Sequence, residues 1–154
     1  MAVLTVTIKE ELTLNGFDRG SVNTVAIGSV TQSFNRIVTC PASVDTTIAV
    51  FQDAANTQDG ALDIQDVKYL RVTNLDDSNS VNLSLQVSSA ENGTADSSCS
   101  LLLEPQKSFI MGAVHDGIAV DDDSATIVTT LTDLESIIVD PSTNSVTVEV
   151  FIAS

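Results

Sequence analysis

Residues 62–88, LDIQDVKYLRVTNLDDSNSVNLSLQVS, decide the fold class. In the second half, Val81, Leu83, Leu85 and Val87 alternate with Asn82, Ser84 and Gln86. A period of two belongs to a half-buried strand, whose successive side chains point to opposite faces. The first half carries Val67, Tyr69, Leu70 and Val72, β-branched and aromatic types that suit a pleated surface. Between them, residues 74–80 (NLDDSNS) are dense in side chains that bond to their own backbone in turns. The reading is two strands joined by a polar turn into a hairpin, on which a β-sandwich can be hung.

The same pattern recurs along the chain. Leu4, Val6 and Ile8 alternate with Thr5, Thr7 and Lys9, and Val146, Val148, Val150 and Ile152 alternate with Thr147, Glu149 and Phe151. Residues 46–51, 101–103 and 108–111 read as further strands. Asn15-Gly16 and Asn92-Gly93 are turn dipeptides, residues 17–23 read as a loop, and Gly28 marks a bulge or bend within strand-like sequence. Residues 127–131 look extended, and residues 136–139 read as a strand in preference to a helix capped at Thr132. Eight to ten short strands with polar turns and no long helix predict an all-β fold, a single antiparallel β-sandwich spanning residues 1–154. Its length suits a jelly roll, with an immunoglobulin-like sandwich as the alternative. Residues 1–9 are expected to form an extended arm or edge strand.

Composition narrows the partners. Twenty-one acidic against six basic residues give a net charge of −15 over 154 residues. A field of that sign repels phosphate backbones and anionic lipid surfaces, so neither nucleic acid nor membrane is an expected partner. The opening residues contain no basic segment followed by a long apolar run, and export is not expected. Cys40 and Cys99 match no metal-ligand spacing, and free thiols acting as small hydrophobes are expected.

His115 beside Asp116 has the look of an oriented base, but no serine stands in a nucleophile elbow and neither cysteine in a nucleophile signature. Asp121, Asp122 and Asp123 offer carboxylates to calcium, yet lack the alternate spacing of a dedicated loop and read as a solvated acidic tip. No metal, cofactor or catalytic residue is therefore assigned, and no enzyme is expected. Asn82 and Asn92 begin glycosylation tripeptides that have no use without export. Tyr69 and Arg71 stand apart: with Leu70 and Val72 facing the core, they share the outer face, and both types are enriched at binding hot spots. The plain alternative places Tyr69 in the core and pairs Arg71 with a nearby Asp.

Three stretches, residues 66–87 (DVKYLRVTNLDDSNSVNLSLQV), 104–112 (EPQKSFIMG) and 131–154 (LTDLESIIVDPSTNSVTVEVFIAS), resemble the small β-sandwich virion proteins of tailed phages. The similarity is greatest to the head decoration, or cement, proteins of marine and cyanobacterial phages. The resemblance implies a protein made in the host cytoplasm that binds the outside of an assembled capsid and braces it. Its partner would be the major capsid protein, its oligomer a homotrimer and its location the virion exterior. A tail-tip or adhesin-type module that recognises a glycan or receptor is the alternative.

Overall fold

The computed structural model describes residues 1–53, 60–88, 95–120 and 127–154. Asn92-Gly93 and Asp121 to Asp123 lie outside the described residues. The chain divides into two compact units, residues 1–32 and 33–154, whereas the sequence pattern predicts a single sandwich over all 154 residues.

The second unit is an antiparallel β-sandwich. One sheet runs in the order β5 (Ser33–Cys40), β13 (Val146–Ala153), β8 (Tyr69–Asn74), β11 (Ser108–Met111). The other runs β6 (Thr46–Gln52), β12 (Leu134–Asp140), β9 (Val81–Ser88), β10 (Ala95–Leu103), with the two-residue β7 (Leu62–Asp63) parallel to β6. If the eight main strands are numbered in chain order, the sheets read 1-8-3-6 and 2-7-4-5. First pairs with last, second with seventh, third with sixth and fourth with fifth. A single long antiparallel hairpin rolled upon itself has that order, and it is the jelly roll.

Period two builds the core between the sheets. Leu70 and Val72 of β8 and Val148, Val150 and Ile152 of β13 face inward from one sheet. Val81, Leu83, Leu85 and Val87 of β9, with Leu134, Ile137 and Val139 of β12 and Phe51 of β6, face them from the other. Each such side chain contributes about 1.5–3 kcal/mol by leaving water. Residues 136–139 are strand, as their β-branched content predicts.

The central stretch departs from its reading. β8 and β9 are strands, but they do not pair with each other and belong to opposite sheets. Residues 75–80 are an arch between sheets rather than a hairpin turn. Alternation tells which side chains face inward, and it is blind to which sheet supplies the neighbours. Residues 127–131 form no strand; the isolated bridge just after them joins Thr132 to Ile118.

The first unit is a β-ribbon. β1 (Ala2–Glu10) pairs antiparallel with β4 (Ser21–Val30), and the short β2 (Thr13–Leu14) and β3 (Phe17–Asp18) continue it to a tip. Asn15 (φ 53°) and Gly16 (φ 80°) make the two-residue tip turn in the left-handed region that this dipeptide favours. Residues 17–23, read as a loop, turn straight back into strand. At Gly20 a side chain would meet the Glu10 carbonyl oxygen at 2.2 Å, so only glycine lets the two arms close there. A bulge lies where Gly28 and Ser29 stand between the pairs Ala2–Val30 and Leu4–Ile27, as the break at Gly28 suggested. Residues 1–9 are thus one arm of a ribbon with its own partner strand.

Candidate functional site

Tyr69 and Arg71 do share the outer face of the β5-β13-β8-β11 sheet. Tyr69 is only 7% exposed, and its ring meets that of Phe151 edge-on, with centroids 6.1 Å apart at 65°. Arg71 Nη2 lies 2.7 Å from Glu149 Oε2 on β13, and both side chains are about three-quarters buried. Arg71 Nη1 donates to Thr73 Oγ1, which is bonded in turn to Ser108 Oγ at 2.8 Å. The face is a cross-strand polar network, with Ile37 and Ile110 exposed at its flanks. The acid that Arg71 pairs with is Glu149 on the neighbouring strand and not a nearby aspartate.

The arch between sheets is organised by Asn74, which is fully buried. Its Nδ2 donates to the carbonyl oxygens of Asn79 (2.8 Å) and Leu103 (3.1 Å), and its Oδ1 accepts the Asp76 amide at 3.0 Å. Asp76 Oδ1 then accepts the amides of Ser78 (2.9 Å) and Asn79 (2.7 Å). These bonds favour the ionised carboxylate and hold its pKa below the usual value. The polar turn chemistry read from residues 74–80 is spent on this corner.

His115 lies in a surface segment. Its Nδ1 is 3.4 Å from Asp116 Oδ2, and both side chains are exposed. The bridge between Ile118 and Thr132 brings up Asp133, whose Oδ1 accepts the Asp116 amide at 2.8 Å. One ligand atom from each of the three lies within 4.8 Å of the others, so they are the described residues able to share a cation. Sequence placed His115 beside Asp116; the third member, seventeen residues on, came from the bridge alone.

On the outer face of the other sheet, Asp45, Asn82, Ser84, Gln86, Ser100, Ile138 and Asp140 line a shallow groove of about 250 Å³. No aromatic ring lines it. Cys40 and Cys99 are free thiols, Cys40 buried and Cys99 partly so. Burial pushes the Cys40 thiol up, against a smaller opposing hydrogen bond from Thr46.

The exposed apolar surface is unevenly spread. Of seventeen large apolar side chains exposed among the described residues, eight fall within residues 1–32. They include Leu12, Leu14 and Phe17 at the ribbon tip and Ile8 and Val25 on its body. The ribbon also differs in charge. Lys9 and Arg19 against Glu10, Glu11 and Asp18 give residues 1–32 a net of −1, leaving −14 of the total −15 to residues 33–154.

Fold and surface together define a jelly-roll β-sandwich with an apolar ribbon. No family model matches the chain, and no curated protein does. A chain from a solved structure of Bacillus endospore appendages, described as disulfide-linked pili, is similar over 82% of this chain and 88% of its own. The identity is 12% and the TM-score 0.40, a level at which the likeness carries no inference about function.

Proposed function

We propose that the protein is a structural component of a tailed-phage particle, a decoration protein that binds the outside of the assembled capsid and stabilises it without catalysis. On this reading it acts as a homotrimer on the major capsid protein, is made in the host cytoplasm and resides on the virion exterior. The observation that carries the reading is the division of the surface. A strongly acidic sandwich stays soluble and repels its own kind before assembly, while eight of the seventeen exposed large apolar side chains among the described residues lie on a ribbon of near-neutral net charge. Residues 1–8 and 20–32 of the ribbon carry no charged side chain, and interface cores are depleted in charge in the same way. Repetition over many equivalent shell sites would make weak single contacts long-lived.

The experiment is co-sedimentation of the purified protein with purified capsids, with bound copies counted per shell. Saturable binding at hundreds of copies, together with greater resistance of the shells to heat or chelator, supports the reading. Protein left entirely in the supernatant at every ratio would sink it. The polar groove around Asn82, Gln86 and Asp140 is the feature that favours a glycan-binding module instead. Glycan-array binding abolished by Asn82→Ala would point there.

A further inference from the structure

We propose that Asn15, at the ribbon tip, is a site of spontaneous covalent modification by its own backbone. The Gly16 amide nitrogen attacks Cγ of the Asn15 carboxamide and closes a succinimide ring. The bond from Cγ to Nδ2 breaks, and ammonia leaves with the proton that the Gly16 nitrogen gives up. Water then opens the ring at either carbonyl. One opening leaves aspartate; the other leaves isoaspartate, in which the main chain runs through the side-chain carbon. One water is consumed and one ammonia released, with no oxidation or reduction.

The reaction needs an attacking amide with no side chain beside it, an uncommitted nitrogen and an uncommitted carboxamide. The tip meets all three conditions. Gly16 has no β-carbon, and nothing lies within 4 Å of where one would stand. Its amide nitrogen and the Asn15 carboxamide make no hydrogen bond with any described residue. Both residues are exposed, so water reaches the ring once it has formed.

Other described positions where the same ring could close are held shut. Gly117 follows Asp116, but its amide donates to the Thr132 carbonyl at 3.0 Å and its α-carbon is pressed against the Ala113 carbonyl. Asn79 and Asn144 are each followed by serine, and their carboxamides are engaged. Asn144 Nδ2 donates to Asn79 Oδ1 at 3.0 Å, and Asn79 Nδ2 donates to Asp76 Oδ1 at 3.1 Å. The consequence of the reaction falls among Leu12, Leu14 and Phe17, the exposed apolar side chains of the tip. Either product adds a negative charge there, taking residues 1–32 from −1 to −2. Isoaspartate also lengthens the main chain of a two-residue turn whose left-handed φ values, 53° at Asn15 and 80° at Gly16, set the Leu14–Phe17 pair.

The test is independent of capsid binding. The full chain is held at pH 8 and 37 °C for two weeks, natively and in urea, and then digested with trypsin. Cleavage after Lys9 and Arg19 isolates residues 10–19, in which Asn15 is the only carboxamide. Its conversion is read as a gain in peptide mass with chromatographic splitting into aspartate and isoaspartate forms. Because the reaction at an open tip needs no unfolding, the native rate is expected to lie within about tenfold of the rate in urea. In the same native sample Asn79 and Asn144 should convert at least about ten times more slowly than Asn15, since their hydrogen bonds must open first. Protection of native Asn15 beyond tenfold relative to urea overturns the inference. Native conversion of Asn79 or Asn144 as fast as Asn15 overturns it too.

Discussion

Asn74 on β8 donates its side-chain amide to the carbonyl oxygen of Leu103 on β10, 3.1 Å away, and this bond passes from one sheet to the other. The same nitrogen reaches Asn79 in the arch, and the backbone amide of Asn74 donates to the Lys107 carbonyl at 3.0 Å. Leu70, Val72 and Asn74 share one inward parity, so a carboxamide stands where the pattern calls for a hydrocarbon. Replacing Asn74 with Leu would strand two carbonyl oxygens and one amide. A loss of about 2–4 kcal/mol is expected in urea unfolding, with an unchanged m-value. A loss below 0.5 kcal/mol would show that the corner holds without this residue.

Asp76 gives the corner a pH dependence. Its folded pKa lies below the ordinary value, so ionisation favours the folded chain at pH above the unfolded value. That contribution is lost as pH falls through the folded pKa. Asp76→Asn is therefore expected to melt below wild type at pH 7, with the two melting temperatures converging toward pH 3. A difference that stays constant with pH would assign the effect to shape rather than charge.

Arg71 and Glu149 should prove coupled. Both are partly buried, and the pair is supported by Thr73. A double-mutant cycle with Arg71→Met and Glu149→Gln is expected to return a coupling of about 0.5–2 kcal/mol, above an exposed pair and below a fully buried one. Tyr69→Ala removes a packed ring and should cost about 3 kcal/mol. If Arg71→Met leaves stability unchanged but weakens binding to a partner, the arginine acts outward after all.

The two thiols should differ in reactivity. Cys40 is buried and its pKa is raised, so little thiolate forms at pH 8 and little reagent reaches it. In the native protein Cys99 is expected to react with a disulfide reagent at least ten times faster than Cys40. Equal rates in the native state, measured by mass spectrometry of alkylated peptides, would contradict the burial.

Strand identity was largely legible. β9 and β13 announce themselves by alternation, and β12 by its β-branched run despite a helical spacing of Leu134, Ile137 and Ile138. Sheet membership was not, because a parity rule carries no information about which partner lies alongside. The missed signal was Asn74 itself, a polar residue at an inward position just before a turn. The ribbon was missed for a different reason. Period two is diagnostic when one face is buried against a core, and residues 17–23 are almost all exposed, so their polarity reads as loop. The absence of charge over residues 20–32, visible in an acidic sequence, was the available clue. Of the surface candidates, Tyr69 and Arg71 were placed on the correct face by parity, whereas Asp133 joins His115 and Asp116 through a bridge that no local pattern specifies.

The rolled order of strands also sets a timetable. β13 lies between β5 and β8, and its pairs run from Ser33–Ala153 to Cys40–Val146, so one of the two interior strands of that sheet is the last of its four to be synthesised. Until it emerges, β5 has no neighbour and β8 has only β11. Contacts of such sequence separation make folding slow, on the scale of milliseconds to seconds. During that wait unpaired edges are open to other nascent chains. The acidity of residues 33–154 then serves the unfinished protein as much as the finished one, holding neighbouring chains apart on the polysome until the final strand slots into place.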